Sequence, residues 1–155
     1  MPENTGKMAD LMPLMKEHLA AGRSVQFVTH GTSMRPMLGD GTDEVILTRL
    51  TGKLKKYDLP LYQRDSGQFV LHRIVKAGET YTCVGDNQFQ LEEGIRPDQM
   101  IAVVKGFVRK GKHYNVDDLS YRIYCRLWCW SRPIRRFGLW FYRGTSRRLK
   151  KIFGK

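Results

Sequence analysis

Six short β-rich runs follow one another through the middle of this chain with no helical pattern between them, and this most constrains the fold. They are Val25–Val28, Glu44–Thr48, Leu59–Gln63, Phe69–Lys76, Thr80–Val84 and Ile101–Arg109. Asp65-Ser66-Gly67 and Ala77-Gly78-Glu79 lie between consecutive runs as hairpin-like turns. Gly111-Lys112 offers one more turn, with His113-Tyr114-Asn115-Val116 as a final strand. Short strands without alternating helices predict a mainly β body, a sandwich or a partly open barrel.

Helical patterns flank this body and divide the chain into 1–24, 25–118 and 119–155. Met8, Leu11, Met12, Met15 and Leu19 recur at spacings of three and four, the stripe of a short amphipathic helix. Asp10 is its expected N-cap, Pro13 falls in its first turn, and Gly22 stops it. After Asp118, Leu119, Ile123, Leu127, Trp130, Ile134, Phe137 and Phe141 keep helical spacing and fill an arc of about 80°. Arg122, Arg126, Arg132, Arg136 and Arg143 fall on the other side. Ser131-Arg132-Pro133 predicts a kink between two helices.

Charge separates the same regions. Residues 1–118 hold 16 Lys/Arg against 15 Asp/Glu, whereas residues 119–155 hold 11 Lys/Arg and no acid. A basic amphipathic segment carrying Trp128, Trp130 and Trp140 predicts an interfacial helix on an anionic membrane. The bland alternative is a helix packed on the β body with a solvated basic face. Its longest uncharged run, Phe137–Tyr142, is too short to span a bilayer, and no apolar N-terminal run of signal-peptide quality exists. The apolar stripe disfavours nucleic acid as the partner. Cys83, Cys125 and Cys129 cannot all pair within one chain and lack zinc-site spacing, so reduced thiols, a cytoplasmic setting and no metal or cofactor are expected.

Between the first two runs the chain concentrates turn formers: Gly31, Pro36, Gly39, Asp40 and Gly41. They display Ser33 on a constrained loop, Gly31-Thr32-Ser33-Met34-Arg35-Pro36. This hexapeptide resembles the nucleophile box of the signal peptidase I and LexA-like serine peptidases. Two further boxes follow in that superfamily's order. Leu71-His72-Arg73-Ile74-Val75 resembles the general-base box and Gly85-Asp86-Asn87 the Gly-Asp-Asn box, so the resemblance covers roughly residues 25–108. It implies a compact β body of that type. The histidine in the base position is similar to the endoplasmic-reticulum variant of signal peptidase, where other members use lysine. The chain departs from signal peptidases in having no spanning helix ahead of the serine. Its N-terminal region is also too short for the DNA-binding domain of a LexA-like repressor.

The chemistry of these residues fits the resemblance. A serine hydroxyl needs a neighbouring base, and a histidine with an ordinary pKa near 6.5 can serve at neutral pH. Strand alternation places Val70, His72 and Ile74 on one apolar face, where burial favours the neutral imidazole. His18 and His30 lack that setting. Asp86 is the first choice to orient the imidazole, or alternatively it braces its own loop; Glu92 and Glu93 stand where relatives carry another acid. The Ser33 N–H, with Thr32, would hold the oxyanion, while Met34 supports the loop from beneath and Pro36 fixes its exit. Asp40 and Asp58 are expected to be structural turn residues. The expected function is a serine endopeptidase acting through an acyl-enzyme on an extended peptide or protein substrate, with small residues before the cut if it follows signal peptidases. The rival is a catalytically silent β domain that binds a peptide or a membrane.

Overall fold

Alternating burial along the strands builds the molecule. Val45 and Leu47, for instance, are wholly buried between half-exposed neighbours. In a computed structural model, which describes residues 3–135 with side chains from residue 8 onward, the strands are β1 (Val25–Val28), β2 (Glu44–Thr48), β3 (Pro60–Gln63), β4 (Phe69–Leu71), β5 (Arg73–Ala77), β6 (Tyr81–Val84), β7 (Glu92–Ile95), β8 (Met100–Arg109) and β9 (Lys112–Asn115). Helix α1 (Glu3–Ala20) precedes them and α2 (Leu119–Trp130) follows. The protein is mainly β.

The long β8 is the spine of the larger sheet. Antiparallel β2 runs along one edge, with Glu44 opposite Val108 and Thr48 opposite Val103. The other edge is shared by β3, with Pro60 opposite Val103, and β9, with Lys112 opposite Arg109. With β1 and β4 outside, the order is β1-β2-β8-β3-β4. A second antiparallel sheet has the order β5-β6-β7.

The chain crosses from one sheet to the other at His72. The run Phe69–Lys76, expected as one strand, divides: β4 pairs with β3, β5 pairs with β6, and His72 is the single residue between them. The backbone of Ile74 explains the division. Its N–H donates to the Asp58 carbonyl at 2.9 Å and its carbonyl accepts from the Tyr57 N–H at 2.8 Å, which draws β5 away from the β3–β4 hairpin. β7 was not among the expected runs, because Glu92-Glu93-Gly94-Ile95 has no apolar alternation.

Two apolar clusters form the core. One gathers Met12, Met15 and Leu19 of α1 with Met34, Met37, Leu38, inward residues of the larger sheet, and Tyr121 and Cys125 of α2. The other, Leu54, Tyr62, Val70, Ile74, Tyr81, Cys83, Ile95 and Met100, joins residues of both sheets. α1 is longer than its stripe predicts. It starts at Glu3 rather than after Asp10, so Pro13 lies inside it. Pro13 cannot donate to the carbonyl one turn back, and the burial of Met12, Met15 and Leu19 holds the helix through that gap. Leu11, counted in the stripe, is exposed. Gly22 ends the helix at φ +75°, where the Arg23 N–H reaches the His18 carbonyl at 3.0 Å.

α2 packs with the face opposite its apolar stripe. Tyr121 and Cys125 are buried, and Tyr124 and Trp128 beside them are half-buried, whereas Leu119, Ile123, Leu127, Trp130 and Ile134 are exposed. After a turn at Ser131 the chain is helical again over 132–135. Phe137, Phe141, Trp140, Arg136 and Arg143, which the stripe and basic face also include, lie outside the described residues. Among the described residues, no helix is long and apolar enough to cross a membrane.

Candidate active site

The loop after β1 carries Ser33 half-buried over a wholly apolar floor. Met34, Met37 and Leu38 turn inward into the larger core cluster, while Thr32, Arg35 and Pro36 stay exposed. Asp40 ties the loop's entrance by accepting from the Gly31 N–H at 2.8 Å. The Asp58 carboxylate accepts from the Lys55 N–H at 2.7 Å, in the turn ahead of β3.

Two contacts clamp this loop to Gly85-Asp86-Asn87. The Asn87 N–H donates to the Ser33 carbonyl at 2.8 Å, and the Asn87 side-chain amide donates to the Thr32 carbonyl at 3.2 Å. Gly85 makes the approach possible, because a Cβ there would lie 2.6 Å from the Ser33 carbonyl oxygen and 3.0 Å from the Ser33 Cβ. A trans peptide directs its C=O and N–H to opposite sides. With the Thr32 carbonyl held on Asn87, the Ser33 N–H points away from that loop.

The β5–β6 ladder brings His72 to the same place. Arg73 pairs with Val84, so His72 and Gly85 are the next residues outward on adjacent strands, and Gly85 lies against Ser33. His72 is buried. Its Nδ1 lies 2.9 Å from Glu92 Oε1, which leaves Nε2 as the ring nitrogen not engaged by that carboxylate. Burial lowers the pKa of His72 below its ordinary 6.5, with Arg64 adding to the effect and the Glu92 charge opposing it.

Glu92 is itself firmly held. Burial alone would raise its pKa, but hydrogen bonds from Arg64 and Tyr62 and the nearby His72 bring it below the ordinary value. Tyr62 donates to Oε2 at 2.9 Å, and the Arg64 guanidinium grips both carboxylate oxygens, Nε at 2.8 Å from Oε2 and Nη2 on Oε1. The Tyr62 hydroxyl also lies 3.4 Å from His72 Nδ1. These contacts fix the carboxylate that fixes the imidazole.

Asp86 does not face His72, which corrects the first choice for the orienting acid. Its carboxylate takes a two-pronged ion pair from Arg73, Nε to Oδ1 at 2.9 Å and Nη2 to Oδ2 at 2.8 Å, and accepts from the Tyr124 hydroxyl at 3.1 Å. The Asp86 carbonyl accepts from the Trp128 indole N–H at 2.9 Å and from Arg135 at 3.1 Å. Arg73 is wholly buried, and its guanidinium also donates to the Tyr57 carbonyl, the Tyr121 hydroxyl and the sulfurs of Cys125 and Met37. Asp86 thus braces the loop that presses on Ser33. Glu93 is exposed, as are His30 and Lys76.

Sequence pattern alone does not single out Tyr62, Arg64 and Arg73, although each leaves a trace. Tyr62 and Arg64 stand two apart at the end of a strand, on one face and next to an apolar row. Arg73 interrupts the apolar run 69–75 beside a histidine, and an arginine buried there needs an acid from elsewhere. A cavity of about 420 Å³ lies apart from these groups, lined by Leu50, Gly52, Lys53, Leu54, Glu79, Tyr81, Pro97 and Met100. Ser33, His72 and Glu92 do not line it. Among the described residues no cluster of His, Cys, Asp and Glu could hold a metal ion. Compared with protein-family models and with curated protein sequences, the chain matches none.

Proposed function

We propose that this protein is a serine endopeptidase of the signal-peptidase/LexA-like type, with Ser33 as nucleophile, His72 as general base and Glu92 as the residue that orients the imidazole. The observation that carries the reading is the convergence of three distant segments: Asn87 and Gly85 hold the Ser33 loop beside the strand end that carries His72, and Glu92 fixes His72 Nδ1 at 2.9 Å.

In this reading Ser33 Oγ attacks the scissile carbonyl carbon while its proton passes to His72 Nε2. The Ser33 N–H stabilises the oxyanion. As the tetrahedral intermediate collapses, the C–N bond breaks and the amine leaves with the proton from Nε2. Water, deprotonated by His72, then attacks the acyl-enzyme, the ester C–O bond breaks, and the proton returns to Ser33 Oγ. Glu92 stays ionised throughout and favours the imidazolium. Among the described residues β1 pairs with β2 alone. Its outer edge leads directly into the serine loop, so an extended substrate can add there as a further strand. Three free cysteines, two of them buried, suit a reducing compartment, and we place the enzyme in the cytoplasm.

The test is acylation by a fluorophosphonate probe. The wild type takes up the label at Ser33 and the Ser33→Ala variant does not. A folded wild type that stays unlabelled at pH 8 and cleaves nothing in a proteome-derived peptide library would establish the silent binding domain instead.

A further inference from the structure

The outward face of α2 has no role in the proposed hydrolysis. Leu119, Leu127 and Trp130 are 70%, 60% and 72% exposed, Ile123 lies between them, and Ile134, past the turn at Ser131, is exposed as well. At 100° per residue Leu119, Ile123, Leu127 and Trp130 fall within an arc of about 80°, roughly opposite the buried arc of Tyr121, Tyr124, Cys125 and Trp128. The stripe cannot turn inward, because Arg73 holds Tyr121 and Cys125 on the body at 2.9 Å each. Exposed Arg122 and Arg126 flank it.

We propose that this face docks on an anionic lipid surface and lies in the headgroup region without crossing the bilayer. Charge decides the occupant. Residues 119–155 carry 11 Lys/Arg and no acid, so a second copy meeting the same face would oppose like charges. Nucleic acid would meet the charges but leave the apolar ridge in water. An anionic bilayer accommodates both: the ridge enters the interface, Trp130 lies at the headgroup level, and the cations face phosphates.

Docking also sets the height of the serine loop. The inner face of α2 holds Asp86 through Tyr124 and Trp128, Arg135 beyond the turn at Ser131 adds a third contact, and the Asp86 loop holds Ser33. One helix diameter, about 10 Å, therefore separates the lipid-facing ridge from the groups that brace the nucleophile. Peptide segments emerging at a membrane surface are the substrates this places within reach.

The test uses the full chain and vesicles of phosphatidylcholine with phosphatidylglycerol, against vesicles of phosphatidylcholine alone and against duplex DNA. The wild type is expected to sediment with the anionic vesicles, with a blue shift in tryptophan emission, and to release largely at 1 M salt, where the Debye length is about 3 Å. The double variant Ile123→Asp/Leu127→Asp should partition at least about tenfold less with an unchanged circular dichroism spectrum. Arg122→Glu/Arg126→Glu should weaken binding to the anionic vesicles only. Equal binding to neutral vesicles, unaltered binding by the folded Ile123→Asp/Leu127→Asp variant, self-association that this variant abolishes in place of vesicle binding, or salt-sensitive DNA binding without vesicle binding would each overturn the proposal. Vesicle binding does not require Ser33, so its failure leaves the peptidase reading standing, and the converse also holds.

Discussion

Glu92 Oε1 lies 2.9 Å from His72 Nδ1, and the two residues come from the start of one strand and the junction between two others. The contact sets a carboxylate held below its ordinary pKa by Arg64 and Tyr62 against Nδ1, which favours the tautomer protonated there and leaves Nε2 outside the contact. On the proposed mechanism, Glu92→Gln is expected to keep the fold but lower kcat by about 10⁴-fold, the loss seen when the orienting acid of a triad becomes its amide. Single-turnover acylation measures it. A loss of less than about tenfold would remove Glu92 from the mechanism.

Asp86→Ala should behave differently. It strands the wholly buried Arg73 cation, and breaking a buried pair from one side costs about 3–5 kcal/mol. Chemical denaturation should show that loss. Residual activity below the melting temperature should exceed that of Glu92→Gln, because the Glu92–His72 contact remains. If Asp86→Ala retained full stability, the bracing role would be wrong.

Ser33→Ala should abolish labelling and hydrolysis while leaving the melting temperature within about a degree of the wild type, since a half-buried hydroxyl is all it removes. Adding His72→Ala to Ser33→Ala should cost almost no further activity, because the two act as one unit. Independent, multiplying losses in the double variant would contradict a shared proton transfer.

The pH profile follows from the surroundings of His72. Burial and Arg64 push its pKa below 6.5, and Glu92 and Asp86 push the other way without prevailing. kcat/KM should therefore rise with pH to a plateau with an apparent midpoint below about 6.5, and Glu92→Gln should move the midpoint lower still. A rise confined to pH above 9 would point to a lysine base.

Stability carries the same signature. The unfolded chain takes up a proton on this histidine at a higher pH than the folded chain does. The contribution of His72 is thus complete above about pH 6.5 and is lost as pH falls through the lower folded-state value. Comparing the wild type with His72→Gln between pH 7 and 5, the variant should show the shallower decline.

Much of this architecture is visible in the residues alone, because strand periodicity and turn chemistry are local. Val45 and Leu47 alternate with half-exposed neighbours, and Gly22 ends its helix, each for reasons contained within a few positions. Long-range pairing is not local. Nothing near Asp86 says that Arg73 will claim it, and the Glu92–Glu93 pair gives no sign that one carboxylate meets a histidine twenty residues back while the other faces water. The α2 stripe shows a limit of another kind. Helical periodicity finds the apolar face, but the face that packs here is the one with Tyr121, Cys125 and Trp128, whose polar atoms have partners on the body.

The Arg73 side chain makes one cooperative unit of segments that precede and follow it along the chain. Its guanidinium gathers Asp86 from the loop after β6, Met37 from the serine loop and Tyr121 and Cys125 from α2. Until α2 is in place, a buried cation lacks two of its partners and the Asp86 carbonyl lacks Trp128 and Arg135. A growing chain of this sequence therefore carries an unbraced Ser33 loop until α2 and Arg135 have emerged. On the peptidase reading this delays cleavage until residues 119–135 have been made, and a polypeptide ending at residue 118 should melt at lower temperature and resist labelling at Ser33.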